Sequence, residues 1–153
     1  MTTALARTAI AALALAATLS AQGSPAPRVN KDRSEVAVRG YDVVAYFTDA
    51  RPVEGRPEFE HQWQGARWRF DSAAHREVFA KSPERYAPQY GGFCAWAVSR
   101  NYTAPIDPQA WAIVDGRLFL NYSLGVQDTW SKDRAGNIAK ADGNWPALSR
   151  TNK

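Results

Sequence analysis

Two runs of alternating residues, each broken by a dipeptide suited to chain reversal, constrain this chain more than any other feature of it. Trp111 to Val114 and Arg117 to Tyr122 flank Asp115-Gly116, a pair that readily takes the positive φ angles of a two-residue hairpin turn. In the other run, Phe59, His61 and Trp63 alternate with Glu58, Glu60 and Gln62. Ala66, Trp68 and Phe70 then alternate with Arg67 and Arg69, and Gln64-Gly65 sits at the break. A period of two puts one residue set on one face of a strand, so two antiparallel hairpins are expected, the first with an aromatic face.

What surrounds the hairpins reads as short helices. Tyr41 to Phe47 fits a single helical turn capped by Asp42. Asp71-Ser72 can cap a helix running to Lys81, with Ala74, Val78 and Phe79 on its apolar face, and Pro83 opens a short turn ending at Tyr86. Phe93 to Val98 is apolar on all sides and follows Gly91-Gly92, which suits a buried helix start. Ser123 to Ile138 reads as one or two helices with Trp130 inward, and Trp145-Pro146 closes the domain. The expected fold is a small α+β domain, two antiparallel hairpins packed by short helices.

At the start of the chain, Met1 to Arg7 carries one positive charge, Thr8 to Leu19 has no charge and is rich in Ala and Leu, and small residues follow. That is the three-part pattern of a secretory leader, expected to span residues 1–23 and to be removed, with residues 24–34 a flexible tether and 35–150 the domain. Its apolar run is too short for a permanent membrane anchor. Export makes the lone Cys94 conspicuous, because one thiol cannot form an internal disulfide and stability must come from packing. Six Trp, six Tyr and six Phe supply the apolar area. Without Arg7 the net charge is about +3, with the signs interspersed, so a nucleic-acid-binding surface has no support in composition.

Cys94 has two admissible states. In the first turn of a helix its thiol would be acidified and could act as a nucleophile or soft-metal ligand; among Phe93, Ala95 and Trp96 it would be a buried small hydrophobe. An exposed free thiol would oxidise outside the cytosol. Asp71 and His75, four apart on one helix face, could offer an oxygen and a nitrogen to a metal, or serve only as cap and partly exposed neighbour. His61 on the aromatic face fits a packed edge residue better than a ligand. At most a mixed Cys/His/carboxylate site is available, of a softness that suits copper or zinc. The tyrosines and tryptophans around Tyr41 to Phe47 and Tyr86 to Tyr102 suit either a small-molecule pocket or a dense core. No phosphate-binding loop or dinucleotide fingerprint is present.

"GYDVVAYF" (Gly40 to Phe47), "GARWRFDSAAHREVFAKSPERYAPQYGGFCAWAV" (Gly65 to Val98), "DGRLFLNY" (Asp115 to Tyr122) and "IAKADGNWPAL" (Ile138 to Leu148) together resemble the YHS-domain family, in its exported single-domain branch. The resemblance implies a metal-binding or metal-sensing role. It also shows departures: where metal-binding relatives keep cysteines, this chain has Ala45, Asp71 and His75, while Cys94 belongs to the branch's own Tyr-Gly-Gly-aromatic-Cys motif. The expected function is therefore an exported binding module for copper, zinc or another small ligand. Its metal would be held by Cys94, His75 and Asp71, and its pocket lined by Tyr46, Tyr41, Asp42, Tyr90, Gly91, Gly92 and Trp96. The alternatives are a thiol-dependent enzyme or redox protein using Cys94, and a structural or partner-binding domain with Cys94 in its core.

Overall fold

A computed structural model describes residues 26–151, so the expected leader lies outside the described residues. The domain is α+β, with six helices and two two-stranded antiparallel sheets. Strand β1 (Arg56–Trp63) pairs with β2 (Ala66–Phe70) through a turn in which Gln64 and Gly65 both have positive φ. Ala66, Trp68 and Phe70 turn inward as the alternation predicts, while Glu60 on the opposite face takes salt bridges from Arg67 and Arg69. Strand β3 (Asp107–Val114) pairs with β4 (Arg117–Asn121) around Asp115-Gly116, again with both φ angles positive. It starts four residues earlier than the sequence pattern indicates: Pro108, Ala110 and Ala112 alternate inward, but proline and small alanines are weak strand signals, and the pairing register shifts between Asp107 and Trp111.

The second hairpin is the wall of the molecule. Leu118 and Leu120 of β4 enter one core with Val43, Val44, Tyr46, Trp68, Phe70 and Phe79, whereas Phe119 between them enters a second core with Tyr90, Val98 and Trp130. Successive side chains of a strand point to opposite faces, so one buried strand serves two cores.

The helices are α1 (Ala45–Thr48), α2 (Ala73–Lys81), α3 (Pro83–Tyr86), α4 (Ala95–Ser99), α5 (Leu124–Ser131) and α6 (Arg134–Leu148). Ser72 caps α2 by accepting the His75 N–H, Ser123 caps α5, and Asp133 caps α6. Three expectations need correction. Ala74 and Val78 do not form a buried face on α2, where only Phe79 is buried; the helix lies on the surface through one aromatic knob. The last helix runs ten residues beyond Ile138, through Trp145, because Pro146 falls in its final turn, where the helix is about to end in any case. The expected tether is also largely folded. Val29 is buried, the Asn30 N–H donates to the Gly91 carbonyl at 2.8 Å, and the Ala37 N–H donates to the Arg67 carbonyl, adding a short parallel bridge beside β2.

Candidate functional site

The residues expected to share one site occupy three places. The first is built on Asp42, which is fully buried although charged. One carboxylate oxygen accepts the N–H groups of Val44 and Ala45 at 2.9 and 3.2 Å and so fixes the turn that leads into α1. The other accepts the Asp71 N–H at 2.9 Å and the Nδ1 of His75 at 2.7 Å. Four donors converging on one buried carboxylate satisfy it in full. With Nδ1 held as a donor, the Nε2 of His75 is left as an acceptor, 3.4 Å from the hydroxyl of Thr48. Asp, His and a hydroxyl thus stand in the order of a proton relay, but the Thr48 hydroxyl also lies 3.3 Å from the Val44 carbonyl and sits on open surface. Asp71 faces outward: its side chain lies 3.5 Å from Arg56. Tyr46 is tied off, its hydroxyl donating to the Pro108 carbonyl at 2.9 Å, and burial holds that hydroxyl well above its ordinary pKa. Tyr41 reaches Glu54 at the surface.

Cys94 lies elsewhere. It occupies the cap position before α4, not its first turn, and is 1% exposed. Its thiol donates to the Asn121 side-chain oxygen at 3.7 Å, which also accepts the Trp96 N–H at 3.1 Å. Burial raises the thiol's pKa, outweighing nearby backbone N–H groups of Ala97, Tyr122 and Trp96 that act to lower it. The acidified thiol that a helix start would have produced is therefore absent; a five-residue helix has little dipole, and desolvation dominates. Beside Cys94 is a cavity of about 260 Å³ lined by Trp96, Tyr102, Ala104, Tyr122 and Val126. Cys94, His75 and Asp71 are not brought together. Among the described residues no three His, Cys, Asp or Glu side chains form a group able to hold a metal ion.

The third place holds Tyr90 and Gly91, and here the surface is concave. An open cleft of about 500 Å³ runs between the turn of the first hairpin, the segment from Glu84 to Gly91, and the end of α6. Trp63, Trp145 and Tyr90 form its walls, with Trp68 beneath. Tyr90 adopts a left-handed backbone (φ 58°), as does Gly91 (φ 60°), which folds the chain back under Arg28. A Cβ on Gly91 would stand 2.0 Å from the Arg28 carbonyl oxygen, so only glycine admits this approach. The Tyr90 hydroxyl donates to Asp142 at 2.9 Å, and Arg117 grips the same carboxylate at 2.7 and 3.2 Å. Partial burial alone would push the Asp142 carboxyl up; the bonds from Arg117 and Tyr90 outweigh it and leave the carboxyl below its ordinary pKa. Burial first, and Asp142 second, push Tyr90 well above its ordinary value. Gly92 is buried behind the cleft, and Trp96 belongs with Cys94.

Sequence reasoning missed Trp63, Gln64, Glu84, Gln89 and Trp145 as site residues. Trp63 and Trp145 were visible only as packing residues. Gln64 registers in the sequence as a turn residue, and nothing local tells that the turn overhangs a cleft. Compared with family models, curated proteins and solved structures, the chain matches none of them.

Proposed function

We propose that this chain is an exported small-ligand-binding module whose ligand is organic and sits in the cleft walled by Trp63, Trp145 and Tyr90. The observation that carries the reading is the coincidence, in one concavity, of aromatic walls with side chains that have no partner of their own. The side chains of Gln64 and Glu84 make no hydrogen bond or ion pair among the described residues, and the indole N–H groups of Trp63 and Trp145 are likewise unpartnered there. The size falls within the roughly 300–1,000 Å³ of small-molecule sites. Cys94 is read as a packing residue, because a neutral, hydrogen-bonded, buried thiol is a poor nucleophile. Membership of the YHS-domain family, which would supply the ancestry, stays part of the proposal.

The six indole N–H signals of the tryptophans give a direct test. In a fragment screen followed by ¹⁵N NMR, hits should move the Trp63 and Trp145 signals and leave Trp111 and Trp130 in place. A screen in which no compound moves the cleft signals, or in which hits move only Trp96 beside Cys94, removes the cleft.

Copper or zinc binding is a second reading, favoured by one observation. Asp42 fixes the His75 ring through Nδ1 and leaves Nε2 with only the Thr48 hydroxyl at 3.4 Å, the arrangement by which a carboxylate orients a metal-binding histidine. A shift of the melting temperature and of the His75 ring signals on adding Zn²⁺ or Cu²⁺ would support it. Unchanged values on both counts would retire it.

A further inference from the structure

We infer that the cleft takes a neutral saccharide, an inference that rests on the cleft being the ligand site. The argument is one of chemical complementarity between what the walls offer and what a ligand must bring.

The charged side chains that line the cleft are Glu84 and Asp142, both acidic, and Asp142 is already neutralised by Arg117. Among the described residues no Lys or Arg lines it. A phosphate, sulfate or carboxylate ligand would be drawn from water into a site with an unpaired carboxylate and no cation to receive it, which is unfavourable.

A cationic amine would be attracted by Glu84 and by the aromatic faces. It cannot, however, use the rest of the site. The Gln64 amide, the two indole N–H groups and the Gln89 amide N–H₂ are donors, Gln89 having its oxygen occupied by Arg117 at 3.0 Å. A quaternary ammonium ion has no lone pair to accept from any of them. A proline-rich segment has the opposite defect: its carbonyls accept, but it has no N–H to give to Glu84 or to the Gln64 oxygen.

Hydroxyl groups both donate and accept, so a polyhydroxylated ligand meets both halves of the inventory. A pyranose ring adds what the walls require. Its C–H-bearing face is apolar and flat, and it stacks on an indole or phenol while its equatorial hydroxyls project sideways to polar groups at the rim. Trp63 and Trp145 are only half buried, so each retains accessible ring surface, and Gln64, Glu84 and Gln89 stand around the opening.

The test is titration of the full-length mature chain with neutral oligosaccharides (cello-, chito- and malto-tetraose), read by calorimetry and by the indole signals. Tetramethylammonium, hexaproline and glucuronic acid are run in parallel. At least one neutral tetrasaccharide should bind saturably and move the Trp63 and Trp145 signals. Trp145→Leu, which keeps apolar bulk and removes the flat ring, should weaken that binding by about tenfold. Because Trp145 also packs on Tyr90 and Phe93, Gln64→Asn serves as the second variant. Asn tolerates the positive φ of 49° at this position and withdraws the amide by one methylene, so a folded protein with several-fold weaker binding is expected. Cleft signals that respond to tetramethylammonium, hexaproline or glucuronic acid but to no neutral saccharide overturn the saccharide assignment and leave the cleft standing. Saccharide binding that neither variant weakens overturns it as well. Silence toward these probes and toward the fragment screen removes the cleft itself.

Discussion

Asp42→Asn should destabilise the domain far more than its single-atom change suggests. Asn keeps an acceptor oxygen for the Val44 and Ala45 N–H groups, so the turn into α1 survives. The amide N–H₂ then replaces the oxygen that faces the Asp71 N–H at 2.9 Å and the His75 Nδ1 at 2.7 Å. His75 has a remedy, because its other tautomer turns Nδ1 into an acceptor. The Asp71 N–H has none: it is main chain, held at the start of α2, and now points at another donor. An unmet buried donor costs about 1–3 kcal/mol, and exchanging charge-assisted bonds for neutral ones adds about 1 kcal/mol, so the loss should be about 2–4 kcal/mol. For a domain of this size that is a fall in Tm of roughly 10 °C. The assay is urea and thermal unfolding followed by circular dichroism, on Asp42→Asn, His75→Ala, the double variant and Thr48→Val. The double variant should lose less than the sum of the singles, since both act on one bond, which Asp42→Asn reduces to a neutral one and His75→Ala removes. Thr48→Val, at an exposed position, should stay within about 0.5 kcal/mol of the parent. An Asp42→Asn protein as stable as the parent, or strictly additive singles, would refute the assignment of Asp42 as the tie between the α1 turn and α2.

Four further outcomes follow from contacts of the same kind. Cys94→Ala should cost about 1–2 kcal/mol, as loss of a small buried group does, and iodoacetamide should modify the parent thiol at an appreciable rate only after denaturant unfolds the chain. Cys94, Tyr46 and Tyr90 all have folded pKa values raised above ordinary values of 9.0, 10.0 and 10.0. Their contribution to stability is whole below pH 9 and is lost as pH rises, so the urea midpoint should fall from about pH 9 upward. Asp142, whose folded pKa is depressed below 3.8, contributes above that pH and loses its contribution as pH falls through the folded value; a urea midpoint insensitive to pH between 4 and 2 in the parent, relative to Asp142→Asn, would contradict it. Gly91→Ala should cost more than 3 kcal/mol or prevent folding, because the added methyl meets main chain, and in any folded fraction the Asn30 amide should exchange with solvent much faster.

How much of this was legible in the sequence depends on how local the cause is. The hairpin turns and the Ser72 cap are written in adjacent residues and are where the structure has them, whereas α1 has Val44 at its cap position and Asp42 holds the turn before it. The start of β3 was not legible, since its inward positions are Pro108 and Ala110, residues that are depleted in strands. The grouping of site residues failed for a more general reason. Asp71 and His75 are four apart, which suggested a shared ligand, yet the partner of His75 is Asp42, thirty-three residues away, and spacing along a helix carries no information about that. Cys94 was read as a choice between an acidified and a buried thiol; the choice turned on helix length and on Asn121, neither of which its neighbours in sequence disclose.

The cleft takes part of its lining from the two ends of the described chain, the parts that sequence alone describes least well. Pro27 and Val29 come from a stretch that reads as a charged, proline-containing tether, and Asp142, Trp145 and Pro146 from a helix that reads as ending near Ile138. The two ends are clamped to each other: the Arg28 N–H donates to the Ser149 carbonyl at 3.1 Å, and its guanidinium reaches the Leu148 carbonyl and lies 5.0 Å over the Phe93 ring. Gly91 is what lets that clamp close, because any side chain there would push the Arg28 carbonyl away. The Tyr-Gly-Gly segment therefore connects the two sites that the sequence seemed to merge. Its glycine seats the extended segment around Arg28 that borders the cleft, its tyrosine anchors α6 through Asp142, and only then does the chain turn inward to bury Cys94. A motif that reads as the approach to a reactive thiol is, in the folded protein, the hinge on which the aromatic cleft is assembled.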